Sequence, residues 1–238
     1  MVAGTVYSNE FYGLWREQLP IMRQLVRVVG RESWHELQTD HTPTVGRRWH
    51  KFASLSDDDR VLRTLRCMKI LRRSLRRRYS YSIPSEEALQ AIASIGEPMV
   101  EIGAGKGYWA KLLQEKGVDI VATDRSSLQP NAWTDSQAPF LNQIQTGHVS
   151  KLLERYPSRV LMMQWIPSGI EGKFALVALK SYKGNNLVIS GQSRGGACGC
   201  TALFDLLETD WRLSDIIPLP RFVGVVDSLF FYRRRSSV

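Results

Sequence analysis

The segment 99-MVEIGAGKGYW-109, followed by 121-VATD-124, decides the fold. The apolar run Met99–Ile102 is typical of a strand in the middle of a parallel sheet, and the glycines after it allow a tight turn close to a ligand. A helix is predicted from Trp109 to Gly117, and the β-rich run 118–123 predicts a second strand. Asp124 is then expected at the end of that strand, where open α/β sheets bind the ribose of an adenosine-type ligand.

The glycine spacing separates two classes of nucleotide-binding protein. A dinucleotide fingerprint requires G-x-G-x-x-G, whereas here Tyr108 stands at the third glycine position, so a dehydrogenase is disfavoured. The observed pattern is Glu101-x-Gly103-x-Gly105-x-Gly107. It resembles the first motif of the Rossmann-like (class I) S-adenosylmethionine (SAM)-dependent methyltransferases.

That resemblance implies SAM as the cofactor and a set of contacts to it. It implies that the glycine turn passes under the methionine part of SAM, that Glu101 anchors its amino end and that Asp124 accepts hydrogen bonds from the ribose hydroxyls. The expected cofactor residues are Glu101, Gly103, Ala104, Gly105, Gly107, Tyr108, Trp109, Asp124, Arg125, Tyr81 and Pro84. The alternative is an α/β sheet whose glycine turn holds no ligand.

The segment 79-YSYSIPSEEAL-89 extends the resemblance towards the N-terminus. Together with VEIGAGKGYWA it is similar to a group of uncharacterised predicted methyltransferases, over residues 79–234. Ser85 is expected to cap a short helix. In related enzymes the turn before this helix closes over the methyl-donor end of the cofactor, so Tyr81 and Pro84 are candidates for a lid, with ordinary packing as the alternative.

The resemblance implies an α/β fold with a Rossmann-like seven-stranded methyltransferase sheet, mostly parallel with an antiparallel last strand, and an N-terminal helical extension. Further strands are predicted at 143–147, 160–164, 186–190, 211–219 and 225–233. Further helices are predicted at 149–156, 171–182 and 201–209, the last capped by Thr201. We expect residues 1–78 to form a helical, basic extension and residues 79–238 to form the SAM-binding domain, which the length of 238 residues allows.

The segment 164-QWIPS-168, at the predicted end of the fourth strand, is the expected place of substrate chemistry. Amino-methylating enzymes carry an Asn/Asp-x-Pro-aromatic motif there, and relatives of this chain read Trp-Pro-Pro-Tyr. This chain has neither the carboxylate nor the terminal aromatic, which puts nitrogen methylation, and catalysis itself, in question. Gln164 and Trp165 are still expected to face the acceptor. Gln145 and His148 are expected near the adenine.

The segment Arg60–Arg78 holds nine cations and no acid, so it carries the whole formal charge of +9. Ser56 and the aspartates after it are expected to open a helix there. Its predicted apolar stripe faces inwards, with arginines opposite; the stripe consists of Val61, Leu65, Met68, Leu71 and Leu75. The basic face can hold RNA, an anionic membrane surface or an acidic protein, or can simply be solvated.

Several other classes are disfavoured by composition. Three cysteines make no disulfide framework, which favours the cytoplasm or another reducing compartment, the mitochondrion included. Cys198-Gly199-Cys200 is too short for a zinc knuckle and the histidines lack metal-site spacing, so no metal is expected. No run approaches the ~18 apolar residues of a membrane span.

Two functions remain open. The first is an enzyme that moves a methyl group from SAM to an unidentified acceptor; the methyl carbon is already activated, so the protein mainly aligns donor and acceptor. The second is a catalytically inactive protein of the same fold that binds RNA or an assembly through its basic helix. The intact glycine motif and Asp124 favour cofactor binding, whereas the altered QWIPS segment favours lost turnover. We expect the enzyme.

Overall fold

A computed structural model describes residues 9–29, 59–125, 135–222 and 225–236. The predicted helix start at Ser56 lies outside these residues. Before the sheet lie four described helices: α1 (Glu10–Glu17), α2 (Leu19–Val29), α3 (Asp59–Arg78) and α4 (Glu86–Ala93). Then follow β1 (Met99–Ile102), α5 (Tyr108–Glu115), β2 (Ile120–Asp124), β3 (Gln145–Thr146), α6 (Val149–Arg155) and β4 (Val160–Gln164). A 3₁₀ turn (Gly169–Gly172) leads to α7 (Lys173–Ser181), β5 (Asn186–Gly191), α8 (Thr201–Asp210), β6 (Trp211–Pro218) and β7 (Ser228–Arg234).

The seven strands form one sheet in the order β3-β2-β1-β4-β5-β7-β6. Strands β1 to β5 pair in parallel, and β7 lies antiparallel between β5 and β6. The carboxyl ends of β1, β2, β4 and β5 therefore meet at one edge of the sheet. The predicted α/β sheet with its antiparallel last strand is confirmed.

The element boundaries follow local sequence signals closely. Strands β1 and β4 begin and end at the predicted residues. Ser85 caps α4, and its Oγ accepts a hydrogen bond of 3.1 Å from the amide of Ala88. The predicted cap of α8 is wrong: Cys200 occupies the cap position, without a side-chain hydrogen bond, and Thr201 is the first helical residue.

The core lies in two layers, one on each face of the sheet. Alternating residues of the central strands divide between the layers, as the period of two requires. Met99 and Met162 point to the layer formed with α4 and α5, which also contains Phe11 of α1 and Leu75 of α3. The other layer is formed with α6, α7 and α8. Helices α1 and α3 thus share a core with the sheet, while the predicted division at residue 78 stays a prediction.

Helix α3 is rotated relative to the predicted apolar stripe. Met68 and Leu75 are buried as predicted, but Leu71 is 40% exposed. The side chains of Arg76 and Arg77, predicted on the solvent side, are half-buried, as is Arg72. A long arginine stem can pack against apolar surface while its guanidinium reaches a polar partner, and this explains how the helix turns cations inwards.

None of the helices in the described ranges combines the length and hydropathy needed to cross a bilayer. The longest of them, α3, carries cations along most of its length.

Candidate functional site

The glycine turn wraps around the end of β2. Gly103, Gly105 and Gly107 all have positive φ angles, of 77°, 56° and 76°, which L side chains adopt only at a cost. The amides of Gly103 and Ala104 both donate to the carbonyl of Thr123, at 3.0 and 2.9 Å. A Cβ added at Gly105 would meet no atom within 4 Å. The turn is therefore held rigidly while its outer side at Gly105 stays open.

Glu101 is a buried acid directly before this turn. Its side chain is 1% exposed, and Oε2 has no hydrogen-bond partner among the described residues. Burial, with the nearby charge of Asp124, raises the pKa of Glu101 to about 8, against a weaker opposing hydrogen bond from the Ala110 amide. A buried carboxylate normally has a partner, so this oxygen is a position where a bound cation or donor would be stabilised.

Asp124 ends β2 beside the turn, as predicted. Its Oδ2 accepts a hydrogen bond of 2.8 Å from the amide of Gly105. The side chain is half-buried. The carboxylate is thus fixed at the sheet edge by the turn itself, and Arg125, the next residue, is exposed.

The side chains of the two predicted cofactor residues at the start of α5 lie in the core. The side chain of Tyr108 is buried, and its hydroxyl donates to Asn9 Oδ1 (3.1 Å) and accepts from the Phe11 amide (3.2 Å). Trp109 is 1% exposed and its Nε1 donates to the carbonyl of Ser82. Because both side chains lie in the core, a role in holding SAM would fall to their backbone amides.

The two lid candidates, Tyr81 and Pro84, lie in different surroundings. Tyr81 packs against Trp165, with ring centroids 4.8 Å apart, so it lies at the end of β4. Pro84 is buried, and its carbonyl accepts a hydrogen bond of 2.7 Å from Asn9. Gln145 is paired with Tyr156 and His148 with Ser150, so both adenine candidates already have local partners.

A polar network fixes the predicted acceptor side. Gln164 Oε1 accepts a hydrogen bond from Ser190 Oγ, and Ser190 Oγ lies 3.2 Å from Ser82 Oγ. Ser82 Oγ donates to Asp227 Oδ2 and Trp165 Nε1 donates to Asp227 Oδ1, both at 3.2 Å. This network joins the ends of β4 and β5 to the segment before β7.

Trp165 has the only positive φ angle of a described non-glycine residue, 43°. Such a backbone costs of order 1–3 kcal/mol and persists only where surrounding contacts impose it. The amide of Trp165 donates to the carbonyl of Ser190 (2.8 Å), and its indole is held by Asp227. These contacts place the indole at the sheet edge, half-buried, beside Tyr81.

Asp227 was missed by sequence reasoning. It is 2% exposed, and burial raises its pKa to about 6, although the charge of Arg72 and two donated hydrogen bonds act in the opposite direction. Burial and the neighbouring charge of Arg76 lower the pKa of Arg72 to about 10. Asp227 lies in a short loop without periodicity, so only its position as the one acid between Arg221 and the last strand could have marked it.

Among the described residues, the His, Cys, Asp and Glu side chains form no group of three that could hold a metal ion. The thiol of Cys198 is buried, and burial raises its pKa.

Searches of family models and of curated protein sequences found no match. A search of solved structures found similar folds. A mutant of MtNAS in complex with SAM is 13% identical over 98% of this chain and all of its own, with a TM-score of 0.44. Magnesium protoporphyrin IX methyltransferase of Synechocystis PCC 6803, solved with bound SAM, is 11% identical over 91% of this chain and 96% of its own (TM-score 0.42). CcbJ methyltransferase of Streptomyces caelestis is 13% identical over 64% of this chain and 91% of its own (TM-score 0.40).

The strand order and the antiparallel β7 are decisive for the fold. This arrangement is the one that the sequence resemblance to the class I methyltransferases implies. Within this fold, the glycine turn, Glu101 and Asp124 meet at the carboxyl edge of the sheet. The residues present fit SAM in three respects: an unpaired buried acid oxygen, an open glycine position and a carboxylate at the end of β2.

Proposed function

We propose that the protein is a SAM-dependent methyltransferase acting on an acceptor that is still to be identified. The observation that carries this proposal is the buried, unpaired oxygen of Glu101 beside the open glycine turn. A ligand with an ammonium group would supply the missing partner. When bound, SAM supplies an electrophilic methyl group on a sulfonium.

Each residue of the turn has a defined task in this proposal. Glu101 would bind the ammonium group of the cofactor, and ionisation of its carboxyl would follow from that contact. The open side of Gly105 leaves room for the ligand to pass close to the backbone. Asp124 would accept hydrogen bonds from the ribose with its carboxylate, which the amide of Gly105 already orients.

The acceptor side would be formed by Gln164 and Trp165. Parallel strands deliver their carboxyl ends to one edge, so the residues after β4 border the glycine turn after β1, its neighbour in the sheet. Because the transfer needs alignment more than acid–base help, a fixed indole is a suitable wall. Trp165→Ala should lower methyl transfer by orders of magnitude and leave SAM affinity nearly unchanged.

A methyl-transfer assay tests this proposal. The purified protein is incubated with labelled SAM and with RNA, protein and small-molecule fractions of a lysate, each tested separately. The proposal predicts label transfer to one fraction, and loss of that transfer in Asp124→Ala. Mass spectrometry of the purified protein should also show SAM or its demethylated product. No transfer to any fraction, with SAM bound, would favour the binding-protein alternative.

The alternative is a catalytically inactive protein of this fold that binds RNA or an acidic protein. One observation favours it: the outer side of α3 presents exposed cations, among them Arg63, Arg66 and Arg73. A second is the departure of QWIPS from the motif of amino-methylating enzymes. In a binding protein, Trp165→Ala would reduce stability only. A cytoplasmic location remains part of the proposal in either case.

A further inference from the structure

Helix α3 brings two arginines to the acceptor side of the site. Arg72 and Arg76 are four residues apart and therefore lie on one face of the helix. The guanidinium carbon of Arg76 is 4.8 Å from the ring centroid of Tyr81, and that ring packs on Trp165. The end of the basic helix thus reaches the segment after β4, where the acceptor is proposed to bind.

The charge at this place is not balanced by the neighbouring acid. Among the described residues, Asp227 is the acid whose charge acts on Arg72, and Arg76 adds a second cation beside Arg72. Both oxygens of Asp227 already accept hydrogen bonds, from Trp165 and Ser82. Arg72 and Arg221 both act on the carboxylate of Asp227, and Arg76 acts on Arg72, so the cations here outnumber this acid.

Two buried donors on the segments joined by these ring contacts have no acceptor among the described residues. Arg76 Nε and Gln164 Nε2 are both buried without a hydrogen-bond partner among the described residues. More than nine in ten buried polar groups in folded proteins are paired. Because both unpaired groups are N–H donors, the group that would satisfy them must be an acceptor. A guanidinium matches a carboxylate or phosphate in charge and in geometry.

We propose that the acceptor substrate carries an oxyanion, a carboxylate or a phosphate, which binds to Arg76 Nε and Gln164 Nε2 beside the Tyr81–Trp165 pair. Arg72 supports this site through its charge. The assignment of the anion to the methyl acceptor rests on the proposed function. The anion site itself is defined by the two donors and the two arginines.

Calorimetric titration with inorganic phosphate and with succinate, at constant ionic strength set by chloride, tests the proposal and separates the two kinds of oxyanion. The native protein should bind at least one of them saturably. Arg76→Gln should weaken that binding about tenfold or more, the loss expected for one charged hydrogen bond. Arg66→Gln is the matched control, because Arg66 is exposed on the same helix. This variant should bind phosphate and succinate with the affinity of the native protein.

A measurement on the native protein covers the case in which Arg76→Gln does not fold. The side-chain NMR signals of Arg76 Nε–H and Gln164 Nε2–H₂ should both shift during the titration and saturate at the same concentration. Absence of saturable binding, unmoved signals, or equal weakening in Arg66→Gln would overturn the site. SAM binding is measured separately on the same samples. Its absence would reject the proposed function, whereas the anion titration would still decide whether the anion site exists.

Discussion

Glu101→Gln is the substitution that examines the cofactor site most closely. In the ligand-free protein, burial raises the pKa of Glu101 from 4.5 to about 8. Since one pKa unit corresponds to about 1.4 kcal/mol, the ionised form is unfavourable by roughly 5 kcal/mol in that state. At pH 7 the carboxyl is therefore mostly protonated. An ammonium group bound against it favours ionisation, so binding should release about one proton.

Calorimetry with S-adenosylhomocysteine, which keeps the ammonium group and lacks the transferable methyl, measures that proton. At pH 7 the binding enthalpy of the native protein should change with the ionisation enthalpy of the buffer, with a slope equivalent to about one proton. Its affinity should rise up to tenfold per pH unit from pH 6 to 8 and then level off. In Glu101→Gln both dependences should vanish and the affinity should fall.

The raised pKa of Glu101 also determines how the stability difference between the native protein and Glu101→Gln changes with pH. A raised carboxyl pKa means that the folded state binds the proton more tightly, so this contribution is present below pH 4.5 and is lost as the pH rises towards 8. Glu101→Gln should therefore gain stability relative to the native protein over that range. Buffer-independent binding in the native protein, or the same buffer slope in Glu101→Gln, would refute the role given to Glu101.

Three further predictions concern the acceptor side and the basic helix. Because Trp165 has a left-handed backbone, Trp165→Gly should be more stable to urea than Trp165→Ala by about 1 kcal/mol, the reverse of the usual order. Asp227 has a raised pKa of about 6, so the stability of the native protein relative to Asp227→Asn should fall by roughly 2 kcal/mol from pH 4 to 7; a constant difference would contradict this. Arg63, Arg66 and Arg73 are exposed; reversing all three to Glu should weaken any RNA binding and reduce its salt dependence in a filter-binding assay, and unchanged affinity would indicate a solvated face.

The fold could be predicted because its signals are local. An apolar strand, three spaced glycines and a carboxylate at the next strand end lie within 26 residues, and each acts through its own backbone conformation. The structure places β1 at the predicted residues and Asp124 at the end of β2.

The acceptor side could not be predicted in the same way because its contacts join distant residues. Asp227 binds Trp165 across 62 positions and Ser82 across 145. The core position of Tyr108 depends on Asn9, 99 positions away. Periodicity placed Leu71 inside and Arg76 and Arg77 outside, whereas Leu71 is 40% exposed and both arginines are half-buried, with Arg76 over the ring of Tyr81.

Binding of S-adenosylhomocysteine to Gly105→Arg and to Gly96→Arg is the most direct measurement of the central claim, that the glycine turn holds SAM. Both glycines have left-handed backbones, with φ of 56° and 70°, and at both an added Cβ meets no atom within 4 Å. The strain of substitution, about 1–2 kcal/mol, is therefore matched. By calorimetry the native protein and Gly96→Arg should bind one equivalent with similar affinity, and Gly105→Arg should not bind. No binding by the native protein, or equal affinities in the two variants, would contradict the claim.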